Sequence, residues 1–82
     1  MKLSLITPFE KKVFDVAWLE LNTPVGNFVI LHGYAPTILT LSPNKRVTFC
    51  LTNGKQESFT VNRGIAEVNR EITTIITDKM LV

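Results

Sequence analysis

A chain of 82 residues holds one domain, and 45% hydrophobic with 20% charged residues is the composition of a folded unit, not of a disordered tail. A net charge of +2, carried by Lys11-Lys12, Lys45-Arg46, Lys55, Arg63 and Arg70 among others, is scattered along the chain and argues against a nucleic-acid binder. The lone Cys50 supports neither an internal disulfide nor a metal site, which fits a reducing compartment, and no apolar run approaches the ~18 residues of a membrane helix.

The chain reads as strands throughout, since valine, isoleucine and threonine are abundant and no helical period occurs. Leu3, Leu5 and Thr7 alternate with Ser4 and Ile6, and Thr7-Pro8 ends that run. Val13 to Leu21 is extended with a slip of phase: Phe14, Val16 and Trp18 share one side, Leu19 and Leu21 the other. A one-residue slip predicts a bulge or a strand that passes between sheets. Phe28–Leu31 and Thr37–Leu41 follow, joined by the Gly/Pro corner His32-Gly33-Tyr34-Ala35-Pro36.

From Lys45 the alternation is regular. Val47, Phe49 and Leu51 lead to Asn53-Gly54, a pair suited to a two-residue hairpin turn, and Glu57, Phe59 and Val61 lie on the return strand. Gly64–Val68 and Glu71–Thr77 follow across the turns at Asn62-Arg63 and Asn69-Arg70. The expected fold is all-β: a small antiparallel β-sandwich of two sheets, with about 8–10 short strands and a C-terminal four-strand meander, forming a single domain over residues 1–82.

No constellation for chemistry emerges. His32 has no helper placed by a local motif, with Asp15, Glu20 and Asp78 scattered, and Glu67 and Glu71 read as hairpin charges. Neither glycine-rich phosphate motif is present. The expectation is no enzyme, no cofactor and no metal. Phe14, Phe49 and Phe59 read as core, whereas Phe28 and Tyr34, at a turn exit and a corner, suit contact with a partner.

Gly26 to Leu41, GNFVILHGYAPTILTL, resembles the segment "G-E-x-G-I-L-P-G-H-A-P-L-L-T-x-L" of the ATP synthase epsilon subunit (delta in mitochondria). Leu3-Ser4-Leu5-Ile6-Thr7-Pro8 is similar to that family's "L-x-I-V-T-P", and Val13-Phe14-Asp15 to "V-F-D-G". Gly64-Ile65-Ala66-Glu67-Val68 is similar to "G-F-L-E-V", and Thr73 to Asp78 to "V-T-V-L-A-D".

The resemblance implies the family's N-terminal β-sandwich and a non-catalytic rotor subunit. Such a subunit couples the gamma subunit to the membrane c-ring during proton- or sodium-driven ATP synthesis, on the cytoplasmic side of the membrane. By the same resemblance Val25, Gly26, Asn27 and Phe28 contact the ring. Tyr34, Ala35 and Pro36 contact the gamma subunit, with Thr7 and Leu39 nearby and His32 at the corner. The family's Pro-Gly-His is His32-Gly33-Tyr34 here, and an acid common in its ring loop is Asn27. Only Lys79 to Val82 follow Asp78, where the family's C-terminal helical hairpin begins; if the chain is complete, the resemblance implies a subunit lacking that hairpin. The alternative is a freestanding sandwich that binds a carbohydrate or small ligand through Trp18, Tyr34 and His32.

Overall fold

The computed structural model describes residues 1–81, so the expected domain is covered except for Val82, which lies outside the described residues. The described residues form nine strands and no helix: β1 (Lys2–Ile6), β2 (Lys11–Thr23), β3 (Gly26–Leu31), β4 (Thr37–Thr40), β5 (Lys45–Leu51), β6 (Gln56–Val61), β7 (Gly64–Val68), β8 (Ile72–Thr77) and β9 (Met80–Leu81). The all-β expectation and the strand number hold.

The strands pair along one path, β4-β7-β8-β1-β2-β5-β6-β9, with β3 on the other side of β2. β2 makes this possible. Its first half pairs with β1, from Lys11 to Asp15, and its second half with β3 and β5, from Val16 onward. The register shifts between Val16 and Trp18, so Ala17 is the extra residue. The phase slip read in the sequence is this bulge: Val16, Leu19 and Leu21 are all buried on either side of it. Without it, one of the two apolar sets in the strand would face water.

Two expectations about topology are corrected. The last four long strands are not a meander, because β6 pairs with β5 and β9 while β7 pairs with β8 and β4. They are two hairpins placed in different parts of the path. The alternating pattern identifies strands and their inward faces, but it holds no information about which strand lies beside which. The sandwich is also not purely antiparallel, since β1 and β8 pair in parallel, Leu3 beside Thr73 and Leu5 beside Ile75.

The Asn53-Gly54 turn differs too. Gly54 has φ +93° and its N–H donates to the Leu51 carbonyl at 2.9 Å, while Asn53 is not among the residues with positive φ. The hairpin therefore closes with a four-residue turn and a glycine in the left-handed region, and Asn53 Oδ1 accepts from the Lys55 amide at 2.9 Å.

Inward residues from both halves of the path meet in one core: Leu3, Leu5, Val16, Leu19, Leu21, Ile30, Val47, Phe49, Phe59, Val61, Val68 and Ile75, among others, are buried. Phe14 packs against it with its ring 5.1 Å from that of Phe49, which lies 6.2 Å from Phe59. These three rings are core, as the sequence indicates. Cys50 is buried although it falls on the polar phase of β5, where it pairs with Trp18 of β2.

Thr73 is fully buried in an inward row between Val68 and Leu3, and its hydroxyl has no hydrogen-bond partner. Replacing it with the isosteric Thr73→Val removes a desolvated polar atom and leaves the packing unchanged. The variant should be more stable by about 1 to 2 kcal/mol, read as a raised urea midpoint at unchanged m-value.

Candidate docking surfaces

Five turns gather at one end of the sandwich. They are Thr7–Glu10, the β2–β3 tip at Pro24-Val25, Ser42–Asn44, Asn62-Arg63 and Asp78-Lys79. The Thr7 hydroxyl organises the first, accepting from the amides of Phe9 and Glu10 at 3.2 and 3.1 Å. Thr23 organises the tip: its Oγ1 accepts from the Val25 amide at 3.2 Å and donates to the Gly26 carbonyl at 2.9 Å. Gly26 sits at φ +134°, which side-chain-bearing residues rarely adopt, so this position requires glycine. Asn27 is held across the ladder by Asn22, whose Oδ1 accepts from Asn27 Nδ2 at 3.1 Å and whose own amide reaches the Arg46 carbonyl at 3.0 Å. An acid at position 27 could not donate this bond.

Asp78 ties two of these turns together. Its carboxylate accepts from Asn62 Nδ2 at 3.0 Å and from the amides of Arg63 and Lys79 at 3.1 and 2.8 Å. Partial removal from water pushes its pKa up, but the hydrogen bonds from Asn62, Arg63 and Lys79 together outweigh this and hold it below the ordinary carboxylate value. A depressed folded-state pKa contributes stability above the unfolded pKa of about 4, and that stability is lost as pH falls through the folded value. The difference in urea midpoint between the parent chain and Asp78→Asn should therefore be present at neutral pH and narrow steadily below about pH 4.

Between these turns lies an apolar hollow of about 880 Å³, lined by Ile6, Thr7, Pro8, Pro24, Leu41, Ile65 and Ile76 with Arg63, Gly64 and Asp78 at its margin. Its floor follows from register. Thr40 pairs with Ile65, Ile65 with Ile76, and Ile76 with Ile6, so four neighbouring strands present one outward row. Ile65 and Ile76 are 42% and 46% exposed, and Ile38, one row away, is 69% exposed. Such a row is unusual on the outer face of a sheet, which makes it a candidate surface for contact.

The residues expected to dock are not all together. Val25, Gly26 and Asn27 are exposed at the five-turn end, and Thr7 is near them and half-buried in the hollow wall. Phe28 pairs with the buried Leu21 and packs against the core, half-buried. His32, Ala35 and Pro36 are exposed at the opposite end of β3, about 17 Å away at strand rise. That corner is built by Gly33 at φ +83°, whose amide donates to the Arg70 carbonyl at 3.0 Å. Tyr34 is half-buried against the core, and Leu39, paired with the fully buried Ala66, packs there too. The chain thus offers two separate ends, with Leu39 and the ring of Phe28 closing the core between them.

Sequence reasoning missed the hollow. The signal was present in Thr37-Ile38-Leu39 and Ile75-Ile76, where adjacent apolar residues load both faces of a strand. Around His32 no partner set forms: among the described residues no three of histidine, cysteine, aspartate and glutamate gather as a metal site. Trp18 lies outward beside Leu31 while Tyr34 leans on the core, so no aligned aromatic row supports the carbohydrate reading.

Fold and surfaces together define a small β-sandwich with exposed turns at both ends and an apolar hollow at one of them. The sequence model of the family described as "ATP synthase, Delta/Epsilon chain, beta-sandwich domain" matches residues 1–81, and the chain belongs to that family. It is 31% identical over 81 residues to the ATP synthase epsilon chain of Paracoccus denitrificans, covering 96% of this chain and 53% of that one. Against the ATP synthase epsilon chain of Xylella fastidiosa it is 30% identical, covering 93% and 55%. The chain thus spans about half the length of the curated relatives it matches.

The same fold occurs in a chain of the Euglena gracilis mitochondrial ATP synthase, with a TM-score of 0.85 at 24% identity over 96% of this chain and 51% of that one. It occurs again in the central stalk/c-ring structure of the Tetrahymena thermophila mitochondrial ATP synthase, with a TM-score of 0.83 at 17% identity, covering 99% and 65%.

Proposed function

We propose that this chain is a non-catalytic central-stalk subunit of a rotary ATP synthase, coupling the gamma subunit to the membrane c-ring during proton- or sodium-driven ATP synthesis. The family match over residues 1–81 carries the reading. The two-ended geometry supports it, because a coupling element needs one surface for each neighbour. The β2–β3 tip with Val25, Gly26, Asn27 and Phe28 faces the ring in this reading. The corner of His32, Tyr34, Ala35 and Pro36 faces the gamma subunit, with Thr7 and Leu39 supporting these surfaces from the hollow wall and the core. The protein works as a peripheral part of the ATP synthase complex, on the cytoplasmic side of its membrane, by shape and grip without a cofactor.

Affinity purification of the tagged chain from its own cells should recover the gamma subunit and the c-ring at stoichiometric level. Recovery of the chain alone under gentle detergent conditions would exclude the assignment. Ala35→Glu and Val25→Glu should each lower recovery without changing the urea midpoint, because both side chains are exposed in the isolated fold.

A further inference from the structure

The basic residues are scattered in sequence but not in space. Lys11, Lys12, Lys45, Arg46, Arg63 and Lys79 all lie in or next to the five turns of the hollow end, where the acids are Glu10 and Asp78. The opposite end is close to balance, with Lys2, Lys55, Arg70 and the N-terminal ammonium against Asp15, Glu57 and Glu71, and Glu20 and Glu67 lie mid-strand. Local pairing does not neutralise the cationic end. Among the described residues only Lys12 has a carboxylate within reach there, Glu10 at 3.8 Å, and the Asp78 oxygens are taken by Asn62 and two backbone amides. The Arg46 guanidinium donates to the Ser58 hydroxyl at 3.3 Å and, among the described residues, forms no ion pair. Like charges gathered this way repel one another in the free protein, and an acidic partner relieves that repulsion.

The outward row Thr40-Ile65-Ile76-Ile6 runs directly into Lys11, which pairs with Ile6 of β1. Arg63 stands at the hollow's margin. The apolar floor therefore ends in a cation at its β2 edge, Lys11, and carries a second, Arg63, at its margin, where the Asp78 carboxylate is already held by Asn62 and two backbone amides. We infer that this end docks an acidic protein loop, one whose apolar apex enters the hollow while its carboxylates meet Arg63 and Lys11. The inference rests on the docking role proposed above and adds the chemistry of the partner. A concave floor of about 880 Å³ admits the side chains of a loop, whereas a plane of lipid headgroups meets only its rim. Nucleic acid would need exposed rings to stack its bases, and the one fully displayed ring at this end is Phe9, 90% exposed.

The test uses shaft-and-ring assemblies stripped of this subunit, rebound by the chain while salt rises from about 50 to about 300 mM. Affinity should fall about tenfold over that range, and Arg63→Glu with Lys11→Glu should lower it at least tenfold at low salt while the urea midpoint stays unchanged. Lys2→Glu with Lys55→Glu, at the nearly balanced end, should leave it unchanged. Binding that is tight but indifferent to salt and to the Arg63/Lys11 reversal overturns the acidic-loop inference and leaves the stalk assignment standing. No binding at any salt overturns the assignment itself. Stronger charge-dependent binding to phosphatidylglycerol vesicles or to a single-stranded oligonucleotide than to the assembly also overturns the inference, in favour of that partner.

Discussion

Leu19→Ala should lower stability by about 2 to 5 kcal/mol, measured as a shift of the urea unfolding midpoint. Leu19 is fully buried immediately after the Ala17 bulge, paired with Ile30 of β3 on one side and Phe49 of β5 on the other. Truncation removes apolar contact at the point where β2 joins the two parts of the path, and the surrounding strands, fixed by their ladders, cannot close over the void. The effect is large against the whole margin, since about 0.05 to 0.15 kcal/mol per residue gives a domain of this size roughly 4 to 12 kcal/mol. Val29→Ala is the control. Val29 is one residue from Ile30 on the same strand but 48% exposed on the outer face, and its truncation should shift stability by about 0.5 kcal/mol or less. If both variants lose equal stability, the inward assignment of Leu19 is wrong.

Legibility in the sequence divided along a physical line. Local pattern revealed what local forces decide: the strands, the inward faces of β5 and β6, and the phase slip in β2, because burial imposes a period of two on any half-exposed strand. Strand order was not legible. β6 and β7 are joined by a short turn and would pair as neighbours in a simple meander, yet β7 instead pairs with β4 and β8. That choice is made by the core, which needs Ala66 and Val68 facing Leu39 and Ile75, and not by the Asn62-Arg63 turn.

The positions of the residues expected to dock were half legible. The exposed tip at Val25 and the corner at Pro36 follow from turn chemistry, whereas the packing of Phe28 and Leu39 on the core depends on which strand lies beside them. The gathering of six cations at one end is likewise a product of topology, since they come from β2, β5 and two turns far apart in the chain.

Gly64→Ala should cost about 1 to 3 kcal/mol and weaken docking through the hollow, although Gly64 has no positive φ. A Cβ at this position would lie 2.9 Å from the Ile76 carbonyl oxygen and 3.2 Å from Thr77 Cβ. The nearer atom is backbone of the paired strand β8, so relief requires β7 and β8 to separate, and that displaces the Ile65–Ile76 pair forming the hollow floor. The Gly64 carbonyl also accepts from the Leu41 amide at 3.0 Å, which carries the disturbance to a third lining residue. Gly54 separates the two kinds of glycine requirement. It has φ +93° and open space where a Cβ would project, so Gly54→Ala should cost about 1 kcal/mol through backbone conformation alone. Asparagine tolerates the left-handed region, so Gly54→Asn should recover part of that loss. Gly64→Asn should recover nothing, because its cost is steric, and it should rebind shaft-and-ring assemblies no better than Gly64→Ala. Equal recovery at both sites would show that the close approach of β7 to β8 does not constrain Gly64.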